Sequence, residues 1–185
     1  MSQVTKRALE NSLKNLLARK PFDKITVTDI AEDCGINRMT FYYHFQDIYD
    51  LVEWSCVEDA KKALNGKKTY ATWQEGFLQI FEAVLENKVF IVNVYHHVSR
   101  EQVENYLYKL TSHLLMDIIE EQSHEMVIHN EDKKLIADFY KYAFVGFMLD
   151  WIKKDMKVDP KNIVNKISLL VQGQLDIALK KFEIK

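Results

Sequence analysis

The chain has 185 residues, 48% of them apolar and 28% charged, with a formal net charge of −2. That balance excludes a disordered chain and a polybasic tail, and no charge-free run approaches the length that spans a bilayer. The first 46 residues carry seven Lys/Arg against five Asp/Glu, so any phosphate-binding surface there is a local patch.

Two Pro and five Gly in the whole chain favour long helices over turns and strands. The expected class is all-α, with about nine helices. Val4–Arg19 places Ala8, Leu9, Leu13, Leu16 and Leu17 on one face, and Lys20-Pro21 stops it. Phe22 and Ile25 anchor the following loop. Thr26 is an N-cap with Asp29 three residues on, a capping box. Val27, Ile30, Ala31 and Cys34 mark a short helix, ended by Gly35 at positive φ. Asn37 caps a second short helix, Arg38–His44, and Asp47 caps a longer one from Ile48 to about Leu64. A polar loop, Asn65–Lys68, follows. Trp73–Glu86, Lys88–Tyr95, Arg100–His124, Glu131–Met156 and Pro160–Phe182 are the remaining helices, the last opened by Asp159-Pro160. The expected domains are a three-helix head, 1–47, and a helical body, 48–185.

Two short helices around a tight turn at 26–45 fit a helix-turn-helix. Phe41 and Phe45, four apart, share the inner side with Ile30, Ala31 and Ile36. At about 100° per residue, Met39 and Tyr43 point outward. Arg38, Thr40 and Tyr42 flank them, with His44 nearer the edge. Such a face can pack on thymine methyls, fork an arginine onto guanine and donate hydroxyls to phosphate. Periodicity alone equally allows a helical hairpin with its aromatics in a core.

The run from Ile25 to Phe45 resembles the head of TetR/AcrR-family regulators, with Thr26, Ile30, Ala31, Gly35, Ile36, Thr40, Phe41, Tyr42, His44, Phe45 and Leu51 at matching places. The stretches Phe41–Trp54 and Phe144–Ile152 look like a subgroup resembling dihydroxyacetone-kinase regulators. Two departures stand out: Asn37 replaces the usual Ser, and Ile48 stands where a lysine often meets the DNA backbone. The resemblance implies a cytoplasmic homodimer with two heads in successive major grooves of a partly palindromic operator, roughly 34–36 Å or more apart. A small effector or a partner protein would control it through different binding free energies in two states. The DNA-contacting candidates are Thr26, Thr28, Arg38, Met39, Thr40, Tyr42, Tyr43 and His44.

In the family the last two helices pair across the twofold. Phe139, Ala143, Phe147, Ile167, Val171 and Leu175 are the candidates for that interface, with Gly146 allowing close approach; the alternative is that they close the monomer's own core. Trp73, Phe77, Phe81 and Tyr106 are candidates to line an effector pocket, or simply core. His96 and His97 point about 100° apart and cannot easily share an ion. No metal, cofactor or disulfide is expected, and Cys34 and Cys56 read as core thiols of a reduced compartment. No nucleophile grouping, phosphate-cradling loop or paired carboxylates suggest an enzyme.

Overall fold

The computed structural model describes residues 2–64, 66 and 69–184, so the expected loop at Asn65–Lys68 lies, apart from Gly66, outside the described residues. Among the described residues every regular element is helical. The α-helices are α1 (Ser2–Leu17), α2 (Val27–Asp33), α3 (Arg38–His44), α4 (Ile48–Leu64), α5 (Trp73–Glu86), α6 (Lys88–His97), α7 (Arg100–Gln122), α8 (Asn130–Lys153), α9 (Pro160–Val171) and α10 (Gln174–Phe182). A 3-10 turn, Phe22–Lys24, joins α1 to α2. The nine helices read from the sequence are present, and the last is broken in two. The break falls at Gly173, whose φ of 73° leaves the right-handed helical region and opens α10.

Two compact units emerge, residues 1–59 with 87–103, and residues 60–86 with 104–185. The boundary expected in the helix after Asp47 falls inside α4, beyond Asp59, and α6 packs with the first unit. The first unit is built on Leu9, Leu13, Ile30, Phe41, Leu51 and Val52, all without solvent exposure. Phe22 and Ile25 are buried as anchors of the turn. Ala8, expected on the inner face of α1, is exposed instead. Glu10 and Ser12 take up buried places on that helix. Phe90 and Val94 hold α6 in the same core.

The second unit centres on a cluster from α7, α8, α9 and α10, including Ile119, Ala137, Tyr140, Phe144, Ile167 and Leu179. An aromatic chain runs through it: the rings of Trp73 and Phe77 lie 6.0 and 4.7 Å from Phe144, and Phe81 lies 4.9 Å from Trp151. Trp151 donates its indole N–H to the Val158 carbonyl at 2.8 Å, so this buried aromatic leaves no polar atom unpaired. No helix among the described residues is long and apolar enough to cross a membrane.

Candidate nucleic-acid interface

Local chemistry explains how α2 and α3 are set. The Thr26 side chain accepts from the Asp29 N–H at 3.2 Å, and the Thr26 N–H donates to the Asp29 carboxylate at 2.7 Å. This capping box satisfies backbone groups that a helix start otherwise leaves open. Lys20 pairs with the same carboxylate at 2.9 Å. The Lys20 bond, then the bonds from Thr26, pull the Asp29 pKa from 3.8 to about 2. At the far end of α2, Gly35 adopts φ 65°, and the Ile36 N–H reaches back to the Ala31 carbonyl at 2.9 Å. Asn37 then accepts from the Met39 N–H at 2.8 Å and starts α3. Asp47 accepts from Asp50 N–H at 2.9 Å to start α4.

The seven residues of α3 divide sharply by side. Phe41 is fully buried and Phe45, its C-cap, nearly so, their ring centres 5.9 Å apart. Met39 is 71% and Tyr43 83% exposed. Tyr42, 41% exposed, accepts a hydrogen bond from Arg38 at 3.0 Å, and the guanidinium lies 5.4 Å from its ring centre. His44 meets Tyr43 edge to face at 5.0 Å. Arg38 and Thr28 are exposed, and Thr40 is half-buried. Thr26 is exposed, but its hydroxyl is engaged in the cap.

The unit's cations are largely committed inside it. Arg7 pairs with Glu10 at 2.8 Å and Glu58 at 3.3 Å; Lys14 pairs with Glu10 at 2.8 Å and Asp59 at 2.6 Å. Lys6 sits over the rings of Phe45 and Trp54, 5.0 and 5.5 Å from their centres. Burial pushes the Glu10 carboxyl up, but hydrogen bonds from Lys14 and Arg7 outweigh it and hold it below the ordinary range. This network joins α1 to α4 and is not legible in the sequence. The spacing of Arg7, Glu10 and Lys14 offers helical pairs, but their partners on α4 are more than forty residues away. Neither cysteine is activated: burial raises Cys34, and drives Cys56 to about 12.

In the second unit, a cavity of about 80 Å³ is lined by Trp73, Phe77, Leu107, Thr111, Leu114 and Met148, among others. Phe81 packs against Phe77 and Trp151, and Tyr106 is buried elsewhere in the chain; neither lines this cavity. A second cavity, about 300 Å³, shares Trp73 and Phe144 with the first and adds the polar groups of Tyr70, Gln74, Ser168 and Gln172. Tyr70 donates its hydroxyl to Asp176 at 2.8 Å; burial and that bond push it up to about 12. A groove of about 660 Å³ runs over α8, α9 and α10, lined by Leu135, Phe139, Ala143, Phe147, Leu170 and Ile177. Phe139, Phe147 and Leu170 are exposed there, and Val171 is partly so. Ile167 and Leu175 are buried in the unit's own core, and Ile167 also lines the groove. Among the described residues no group of three or more His, Cys, Asp or Glu could hold a metal ion.

Residues 12–53 match the family model described as bacterial regulatory proteins, tetR family. Residues 71–173, more than half the chain, match a transcriptional regulator C-terminal region of the TetR type. The HTH-type dhaKLM operon transcriptional activator DhaS of Lactococcus lactis is 26% identical over 131 residues, 71% of this chain and 69% of that relative. In fold, the chain is similar to a solved structure of the dihydroxyacetone kinase operon activator DhaS, with TM-score 0.70 and 22% identity over 98% and 99% of the two chains. It is also similar to FadR of Thermus thermophilus, solved with lauroyl-CoA, with TM-score 0.57 and 14% identity over 91% and 94%.

Proposed function

Because the chain belongs to the TetR family of bacterial transcriptional regulators, we propose that it works as a cytoplasmic homodimer that inserts two copies of α3 into a palindromic operator. Residues 1–47 carry the DNA contacts and residues 48–185 the control and pairing, with no chemical turnover. The observation that carries this reading is the outward side of α3, where Met39 and Tyr43 stand exposed on a helix braced from behind by Phe41 and Phe45. Arg38, Thr28, Thr40, Tyr42 and His44 flank that side, and Thr26 contributes chiefly through the cap it makes.

Pairing uses Phe139, Ala143, Phe147, Ile167 and Val171, joined by Leu170 and Ile177, all of which line the groove; Leu175 is buried in the unit's own core. An added Cβ at Gly146 meets nothing within 4 Å, so a second helix has room there. An apolar groove of this kind favours a partner over water.

A small ligand in the second unit is the preferred means of control, held by Trp73 and Phe77 with the polar groups of the adjoining cavity. The smallness of the apolar cavity, about 80 Å³ against the several hundred usual for ligand pockets, favours a second reading, control by a partner protein. The resemblance to DhaS makes dihydroxyacetone kinase genes the first promoters to try. The test is a salt-sensitive gel shift on such promoters and on selected random duplexes. Specific retardation by the dimer is expected; substrate turnover without any DNA binding would overturn the proposal.

A further inference from the structure

We infer that Met39 and Tyr43 form an apolar ridge that reads the 5-methyl groups of thymine, so that each half-site is specified chiefly by thymines and not by guanine-directed hydrogen bonds. The inference rests on the reading of α3 as the DNA-inserting helix. It names the chemistry that this helix recognises.

Three observations carry it. Met39 and Tyr43 are the most exposed apolar groups on α3, four residues apart and opposite the buried Phe41 and Phe45. Methionine's thioether is only a weak acceptor and offers nothing to the strong donors and acceptors of a base edge. The group it can desolvate in the major groove is the thymine methyl, the one apolar feature that distinguishes the four base pairs there.

Arg38, the only lysine or arginine of α3, is tied to Tyr42 through both a hydrogen bond and its ring face. That pair lies to one side of the ridge, at the neighbouring positions of the helix. The Tyr42 hydroxyl accepts from Arg38, so its own proton remains available for a phosphate oxygen. The pair therefore suits the DNA backbone, which positions the helix, and leaves base reading to the ridge. Three further cations of the unit, Arg7, Lys14 and Lys20, are held by carboxylates.

The spacing gives the inference a register. Four residues of α-helix rise ~6 Å, while successive base pairs rise ~3.4 Å. The two side chains thus span roughly two base-pair steps, and the methyls they touch lie about that far apart in each half-site.

The experiment selects binding sequences from random duplexes of about three helical turns, using the whole protein. Thymines in the enriched half-sites are then replaced one at a time by uracil, which deletes only the methyl. At the ridge positions, each loss is expected to weaken binding roughly fourfold in one half-site and roughly 15-fold in both, from one buried methyl apiece. Met39→Ala or Tyr43→Ala removes the thymine-over-uracil preference at one of the two positions, with helix content unchanged by circular dichroism. Tyr43→Phe keeps it, because the ring and not the hydroxyl makes the contact. Enriched sequences that bind equally well with uracil throughout overturn the ridge while leaving DNA binding standing. Loss of preference in Tyr43→Phe also overturns it, in favour of hydrogen bonding. No enrichment of any sequence overturns the DNA-binding reading beneath it.

Discussion

Phe41 and Tyr43 stand two residues apart on one short helix and carry opposite duties. Phe41 has no solvent exposure and packs on Phe45, so truncation to alanine removes a core side chain. Phe41→Ala is expected to cost about 3–5 kcal/mol in denaturant unfolding of the first unit. Tyr43→Ala, at 83% exposure, leaves that stability within about 0.5 kcal/mol and weakens operator binding in a titration. Asp29 adds a pH dependence whose sign follows from its environment. Lys20 and Thr26 favour the carboxylate, lowering its folded pKa to about 2 from 3.8. Its stabilising contribution is complete above the unfolded value and is lost as pH falls through 3.8 towards about 2. Acid unfolding of Asp29→Asn should therefore lose this part of its pH slope; an unchanged slope between those values would show that the capping carboxylate contributes nothing. Glu10 is the reverse of a surface acid, since its side chain is only 3% exposed between Arg7 and Lys14.

At the level of elements, turns and caps were the most legible part of the chain. Thr26 with Asp29, Gly35, Asn37 and Asp47 each act through bonds to residues within a few positions, so their chemistry is written locally. A Cβ at Gly35 would meet nothing within 4 Å. Gly35→Ala should thus cost only the backbone term for a left-handed residue, about 1 kcal/mol, measured by thermal melting. The break at Gly173 is hidden in the sequence because the apolar pattern continues across it: Ile167 before the kink and Leu175 and Leu179 after it are all buried. Which side of α9 and α10 a partner would cover is not legible for a related reason, since a helix that is apolar on two sides does not say which side its own chain covers. The Arg7–Glu10–Lys14 network was illegible because its partners, Glu58 and Asp59, lie on another helix. Ile48, at the first position of α4, is only partly buried. Ile48→Lys is expected to tighten DNA binding and steepen its salt dependence by about one counterion per head. A gain without the steeper slope would mean the new side chain acts otherwise than on phosphate.

For the molecule as a whole, the expectation is a regulator that depends on association and only weakly on charge. Phe139 is 69% exposed on the groove over α8, α9 and α10. Phe139→Glu should leave the helical signal intact, shift the sedimentation coefficient to that of a monomer, and abolish stable operator binding. A dimer that survives this change would move the interface elsewhere. The three tryptophans are distributed so that each domain carries its own optical reporter. Trp54 lies in the first unit, beneath the cations of Lys6 and Arg7, whereas Trp73 lines the apolar cavity of the second and Trp151 is buried behind it in the aromatic chain. With Trp73 and Trp151 replaced by phenylalanine, emission comes from Trp54 alone and follows the DNA-inserting unit. With Trp54 replaced instead, quenching of the remaining emission follows occupancy of the cavity. On the proposed reading, the native sequence would therefore allow ligand entry and DNA engagement to be timed separately, without attaching a dye to either cysteine.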